Sequence, residues 1–176
     1  ELSGKTLGII GFGRIGSLVG QRAAAFDMKV IGYDPLIPGE EIIKRGGEPV
    51  SLDELLARAD FITLHIPLTA DSRNMLNADA FAKMKDGVRL ICAARGGVID
   101  EAALLAALES GKVAAAGLDV FTTEPPGLTA LVSHPKVVAV PHMGGQTVEA
   151  QARAAGDIST EVLAALRGEA LRWKVA

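Results

Sequence analysis

Residues 6–16 read Thr6-Leu7-Gly8-Ile9-Ile10-Gly11-Phe12-Gly13-Arg14-Ile15-Gly16, and this stretch decides the fold. Its first half, 6–11, is a short apolar run ending in glycine, the pattern of a buried parallel strand. Its second half is G-x-G-x-x-G. The residues that follow, through 26, have helical spacing, with Ile15, Leu18, Val19 and Ala23 apolar. A glycine-rich hexapeptide alone is a weak signal. Between an apolar strand and an amphipathic helix it predicts a turn that holds a dinucleotide. Each glycine has its own task there. Gly11 allows the tight turn out of the strand, bare Gly13 lets backbone N–H groups reach a pyrophosphate, and Gly16 lets the helix lie close to the sheet. The helix N-terminus offers free donors and partial positive charge, and Arg14 adds a full one.

The same alternation continues outward. Strands are predicted over 29–34, 49–50 (a short edge strand), 60–66, 88–93, 113–120 and 137–140, and helices over 40–45, 52–58, 79–84, 100–109 and 146–166. Ser51 with Glu54 forms a capping-box pattern before the third helix, Asp100 is an N-cap acid, and Gly111 and Gly168 stop helices. Strand, helix, strand in this order predicts right-handed crossovers and a doubly wound parallel sheet of the α/β Rossmann class. One domain over 1–168 is expected, with a tail at 169–176 that has no place in the sheet. The chain begins at Glu1 without an initiator Met and is in strand sequence within a few residues, so it reads as a piece of a longer protein.

Composition agrees. The 176 residues are 49% hydrophobic but only 4% aromatic, so the core is aliphatic, suited to buried strands under Ala-rich helices. The net charge of -3, without a basic patch, argues against nucleic acid as a partner. No apolar stretch approaches the roughly 20 residues of a membrane span. A single cysteine, Cys92, excludes an internal disulfide and fits a reducing cytosol, so a cytoplasmic location is expected. No metal site is expected.

Asp34 ends the second strand, 18 residues after Gly16. A carboxylate there accepts hydrogen bonds from adenosine ribose hydroxyls and repels a 2′-phosphate, which favours NAD over NADP. Three later segments also fall at strand ends, where open α/β sheets bind ligands: Ala93-Ala94-Arg95-Gly96-Gly97, Asp119 through Pro126, and Pro141 through Thr147. Hydride transfer to a 2-oxo acid needs a cation on the carboxylate and a proton donor at the carbonyl oxygen. The forked guanidinium of Arg95 suits the first. His142 suits the second, since histidine titrates near neutral pH and a carboxylate such as Glu124 can hold its tautomer. In the oxidation direction the same histidine is the base. Taken singly each residue has a plainer reading: Asp34 a turn residue before Pro35, His142 a loop histidine, Glu124 a surface acid, Arg95 a partner of Asp100. His65 and His134 read as structural, Cys92 as a small buried apolar group, and Trp173 as a tail residue that packs on something outside the chain.

These segments resemble the D-isomer-specific 2-hydroxyacid dehydrogenase family. The matching stretches are GKTLGIIGFGRIG (4–16), IGYDP (31–35), ADFITLHIPLT (59–69), AARGGVIDEAAL (93–104), GLDVFTTEPP (117–126) and PHMGGQTVEAQ (141–151), in order over nearly the whole chain. The resemblance implies catalytic roles for Arg95, Glu124 and His142. It implies NAD contacts at Gly11, Gly13, Arg14, Ile15, Gly16, Asp34, Pro35, Ile66, Pro67, Ala93, Ala94, Arg95, Asp119, His142, Met143, Gly144 and Gly145. It also implies a small 2-hydroxy or 2-oxo acid substrate, a homodimer or higher homo-oligomer, and a second, substrate-binding domain that these residues do not include. Members acting on a phosphorylated three-carbon acid at the entry to serine synthesis are the nearest match. Glyoxylate or hydroxypyruvate reduction is the alternative, and an NAD(H)-sensing corepressor-like binding module is the alternative of another class. Two positions depart from the pattern: Cys92 stands where Asn is common, and Gly145-Gln146 replaces Ala-Ser.

Overall fold

A computed structural model describes residues 1–173; the last three positions of the expected 169–176 tail lie outside the described residues. The chain divides into two compact units, Glu1–Pro141 and His142–Ala176.

The first unit holds seven strands: β1 (Thr6–Ile10), β2 (Lys29–Tyr33), β3 (Glu48–Pro49), β4 (Phe61–Leu64), β5 (Val88–Cys92), β6 (Val113–Leu118) and β7 (Val137–Ala139). Between them lie α1 (Arg14–Ala24), α2 (Gly39–Lys44), α3 (Leu52–Arg58), α4 (Ala78–Lys83) and α5 (Glu101–Glu109). Every strand pair is parallel, and the sheet order is β3-β2-β1-β4-β5-β6-β7. The chain winds from the central β1 to the β3 edge, then returns to β4 and winds the other way. This is the doubly wound parallel sheet expected from the sequence, and the reversal opens a crevice between the carboxyl ends of β1 and β4.

Helix caps follow the local sequence. The Ser51 hydroxyl accepts the Glu54 N–H, and Asp100 accepts from both Ala102 and Ala103. The capping box at Ser51 is only half made, because the Glu54 carboxylate turns to Arg58 at 2.6 Å instead. Asn77 caps α4 in the same way as Ser51 caps α3.

Packing shows which face of α1 meets the sheet. Ile15 and Leu18 are exposed, and the face against the sheet is Gly16, Ser17, Gly20 and Ala23. The reason is close approach. A β-carbon at Gly20 would sit 3.2 Å from both Ile9 Cδ1 and Val30 Cγ1, and one at Gly16 would collide with the Gly11 carbonyl. Only small side chains fit where helix and sheet lie so near. Phe12, fully buried, fills the space on this side, with Leu7, Ile9, Ala23 and Ile42 around it. The larger aliphatic core lies under α3, α4 and α5 and includes Leu55, Leu56, Ile62, Leu64, Leu90, Leu104 and Leu108. Cys92 belongs to it at 2% exposure, and burial pushes its thiol pKa up. On β5 burial alternates: Val88, Leu90 and Cys92 are covered while Arg89 and Ile91 are open. Val138 on β7 is also exposed.

The second unit carries α6 (Val148–Leu166), begun by the Thr147 hydroxyl, which accepts the Ala150 N–H. Gly168 follows the helix with φ +69, the left-handed turn that ends it. The chain then folds back on the helix: the Arg172 and Trp173 N–H groups both donate to the Glu161 carboxylate. A groove of about 570 Å³ runs along this unit between Ile158, Val162 and Trp173.

Candidate cofactor and substrate site

Strand register places several of the predicted site residues, those that follow strands of the first unit, on one edge. Tyr33, Ile10, Leu64, Cys92, Leu118 and Ala139 are registered neighbours across six strands. The residue after each of the first five is Asp34, Gly11, His65, Ala93 and Asp119. These form the carboxyl edge of the sheet on both sides of the crevice.

The glycine turn is built as its chemistry requires. Gly11 has φ +95, and a β-carbon there would come within 2.7 Å of the His65 carbonyl and the Ile66 side chain. Gly13 is the N-cap of α1, with extended backbone and no side chain capping the helix. A β-carbon on Gly13 would meet nothing within 4 Å. So Gly11 and Gly16 are glycines because protein atoms crowd them, and Gly13 is glycine beside open space over an uncapped helix end. That space and those donors fit a dinucleotide pyrophosphate.

Asp34 is tied into the turn. One carboxylate oxygen accepts the Phe12 N–H at 2.8 Å, and the other accepts the Leu36 N–H at 2.9 Å. A carboxylate has about four acceptor sites, so capacity remains for ribose hydroxyls. Arg45 is a support that sequence reasoning missed. Its guanidinium donates to the Phe12 carbonyl at 2.9 Å and pairs with Glu41 at 2.9 Å, so it braces the turn from α2. The Glu41/Arg45 spacing of one helical turn was the available signal, but nothing local says that the arginine reaches back to residue 12.

At the end of β4, the His65 N–H donates to the Ile10 carbonyl at 2.7 Å. Its ring Nε2 lies 3.0 Å from the Thr63 hydroxyl, and burial lowers its pKa, which favours the neutral ring. The structural reading of His65 agrees with this. Ile66 is buried and Pro67 exposed. Ser72, buried, donates to the Pro67 carbonyl at 2.7 Å and fixes the loop that follows.

Arg95 and Glu124 lie on adjoining loops. Arg95 is exposed, and its guanidinium donates to the Ala94 carbonyl at 2.6 Å. It makes no hydrogen bond or ion pair with Asp100, whose Oδ1 caps α5. A β-carbon at Gly96 would collide with the Phe121 carbonyl, so the loop after β5 packs backbone to backbone on the loop after β6. Asp119 is buried, and its N–H donates to the Cys92 carbonyl at 2.9 Å. Glu124 is exposed and accepts the Phe121 N–H at 3.0 Å. Residues 142–145 belong to the second unit. There His142 is exposed with φ +50, and Gln146 N–H closes the turn on the Met143 carbonyl at 2.9 Å. A non-glycine residue in the left-handed region is uncommon, and such residues cluster at functional sites.

Among the described residues, no cluster of three or more His, Cys, Asp or Glu is placed to hold a metal ion, and no helix is long and apolar enough to cross a membrane.

Comparison with known proteins agrees with this geometry. Residues 1–144 match the family model described as "D-isomer specific 2-hydroxyacid dehydrogenase, NAD binding domain". D-3-phosphoglycerate dehydrogenase of Bacillus subtilis is 54% identical over 168 residues, which is 96% of this chain and 32% of that enzyme. The enzyme of the same name from Homo sapiens is 48% identical over 171 residues, 97% of this chain and 32% of that one. The chain thus spans about a third of the length of these relatives. Among solved structures, a glyoxylate reductase from Paecilomyes thermophila superimposes with a TM-score of 0.90 at 42% identity, covering 97% of this chain and 52% of that one. A D-lactate dehydrogenase from Aquifex aeolicus, complexed with NAD and lactic acid, gives 0.87 at 37% identity, covering 96% and 55%.

Proposed function

We propose, from the premise that this chain belongs to the D-isomer-specific 2-hydroxyacid dehydrogenases as their NAD-binding domain, that it serves the NAD-dependent oxidation of 3-phosphoglycerate to 3-phosphohydroxypyruvate in serine synthesis. The observation that carries the substrate is the identity of 48–54% to enzymes named for it, over almost the whole chain. Glyoxylate or hydroxypyruvate reduction is the second reading, favoured by the structural match to a glyoxylate reductase. A corepressor-like NAD(H)-sensing module is retained from the sequence as the third.

Bound NAD supplies the hydride acceptor. The α1 N-terminus with Gly11, Gly13, Arg14, Ile15 and Gly16 binds its pyrophosphate, and Asp34 with Pro35 takes the adenosine ribose. Ile66, Pro67, Ala93, Ala94 and Asp119 line the rest of the carboxyl edge, and Met143, Gly144 and Gly145 complete the set. Arg95 fixes the substrate carboxylate by paired N–H donors. His142 takes the hydroxyl proton as the alkoxide forms, and returns it in reduction. Glu124 holds the imidazole in the tautomer that can accept that proton. The rest of the full-length protein supplies further substrate contacts, so this chain alone turns over weakly or not at all. We take the full protein to be a homodimer or higher homo-oligomer.

The test is a steady-state assay of the full-length protein with 3-phosphoglycerate and NAD, beside glyoxylate and hydroxypyruvate with NADH. The proposal expects the highest kcat/KM for the phosphorylated pair, and His142→Ala to lower kcat by at least 100-fold. A higher kcat/KM with glyoxylate would move the assignment to the second reading. Absence of turnover with all of these, beside tight NADH binding, would move it to the third.

A further inference from the structure

Two successive backbone amides in the loop after β6 are each taken by a carboxylate. The Phe121 N–H goes to Glu124, three residues on. The Thr122 N–H goes to Glu101, the first residue of α5, at 2.6 Å. The second bond spans 21 residues of sequence and joins different elements. Glu101 is well placed to act as an anchor. Asp100 caps its helix, and the Asp100 N–H donates to the Leu76 carbonyl at 3.0 Å, so the start of α5 is fixed from two sides. Glu101 and Arg95 line one small cavity, closed further by Cys92 and Val120. Gly96, which lines the same cavity, packs against the Phe121 carbonyl. The segment 121–122 is thus held by both the arginine loop and the first turn of α5.

We infer that Glu101 is a positioning residue for the reaction proposed above: by accepting the Thr122 N–H it fixes the turn from which Glu124 projects, relative to Arg95. This rests on the assignment of Glu124 and Arg95 to the chemistry. A charge-assisted bond to a backbone amide is strong and directional, which suits a tie between two loops. An acid in the first turn of a helix also favours the helix itself. The two roles differ in what they require of the side chain. Positioning needs an acceptor oxygen of the right reach, whereas stabilising the helix end needs a negative charge.

The experiment is a double-mutant cycle in the full-length protein. E101A, E101Q and E101D are made alone and in an E124A background. Each is assayed for kcat and for KM of NAD, with its thermal midpoint recorded. E101A is expected to lower kcat roughly tenfold, the loss of one charge-assisted bond, with KM for NAD changed less than twofold. E101Q keeps an acceptor at full reach and stays within threefold of the parent, whereas E101D, one methylene short, behaves as E101A. In the E124A background, E101A costs less than twofold further, because the group it positions is gone. Losses from E101A and E124A that multiply would overturn the inference while leaving the role of Glu124 intact. So would an E101Q enzyme as impaired as E101A, or an effect confined to the thermal midpoint. An E124A enzyme as active as the parent would overturn the assignment of Glu124, and the positioning role with it.

Discussion

Replacing Gly13 by alanine separates the needs of the fold from those of the ligand. The Gly13 backbone, at φ -71 and ψ -154, is extended and open to any residue, and its added β-carbon touches nothing within 4 Å. Losing glycine freedom in the unfolded chain stabilises by about 0.4–1 kcal/mol. Alanine is a poorer N-cap than glycine by roughly the same amount. The net change is therefore within about 1 kcal/mol, or at most about 4 °C in Tm for a chain of this size. Gly16→Ala is the control. Its β-carbon strikes the Gly11 carbonyl and comes within 3.0 Å of an Ile9 methyl, so the helix must shift. Overpacking of this kind costs about 1–3 kcal/mol, a fall of roughly 2–12 °C. For nucleotide the ranking reverses in meaning. A methyl at Gly13 keeps a phosphate from the first-turn amides, and one lost charge-assisted bond of about 1.5–3 kcal/mol weakens NADH binding by about 10- to 150-fold. The assay is thermal denaturation without nucleotide, then calorimetric titration with NADH. Gly13→Ala that binds NADH within twofold of the parent would refute the placement of the pyrophosphate. A Gly13→Ala midpoint as low as that of Gly16→Ala would refute the claim that its surroundings are empty.

Asp34→Ala should weaken NAD binding and narrow the preference over NADP, and it should also cost roughly 1–3 kcal/mol, because the Phe12 and Leu36 amides lose their acceptor; paired NAD and NADP titrations with a denaturation curve check both parts. For Asp60, burial works to raise the pKa and is the largest influence, but the Thr6 N–H, Lys85 and Lys5 together hold it below the ordinary carboxylate value. Its stabilising effect is therefore present above the unfolded value of about 4 and is lost as pH falls through the lower folded value. Asp60→Asn should be less stable than the parent at pH 7 and converge with it in acid, and a pH-independent gap in Tm would contradict this. Cys92 is buried and its thiol is pushed up by burial, so iodoacetamide at pH 8 should label it at a rate set by unfolding; rapid labelling of the native chain would show that the end of β5 is open.

Much of this was legible because the chemistry is local. The strand–glycine turn–helix over 6–16 predicted the central strand and first helix, and alternating apolar and helical segments predicted the sheet order's parallel character. Ser51, Asp100 and Gly168 marked helix ends from single residues. What was not legible is non-local. The spacing of apolar residues marked α1 as a helix but not its buried face, which is Gly16, Ser17, Gly20 and Ala23 because the sheet lies so close. Hydropathy carries no information about interaxial distance. Arg45 bracing Phe12 and Glu101 holding Thr122 depend on chain segments 33 and 21 residues apart, and no periodicity announces such pairs. The strand ends at Asp34, Gly11, His65, Ala93 and Asp119 were each readable singly, but only register places them on one edge.

The claim that this chain is a dinucleotide-binding domain selective for NAD is tested most directly by titrating NADH and NADPH into the 176-residue chain in a calorimeter. The account predicts one NADH bound per chain, with NADPH weaker by at least tenfold because its 2′-phosphate faces the Asp34 carboxylate. Failure to bind NADH at any accessible concentration, or tighter binding of NADPH, would contradict it.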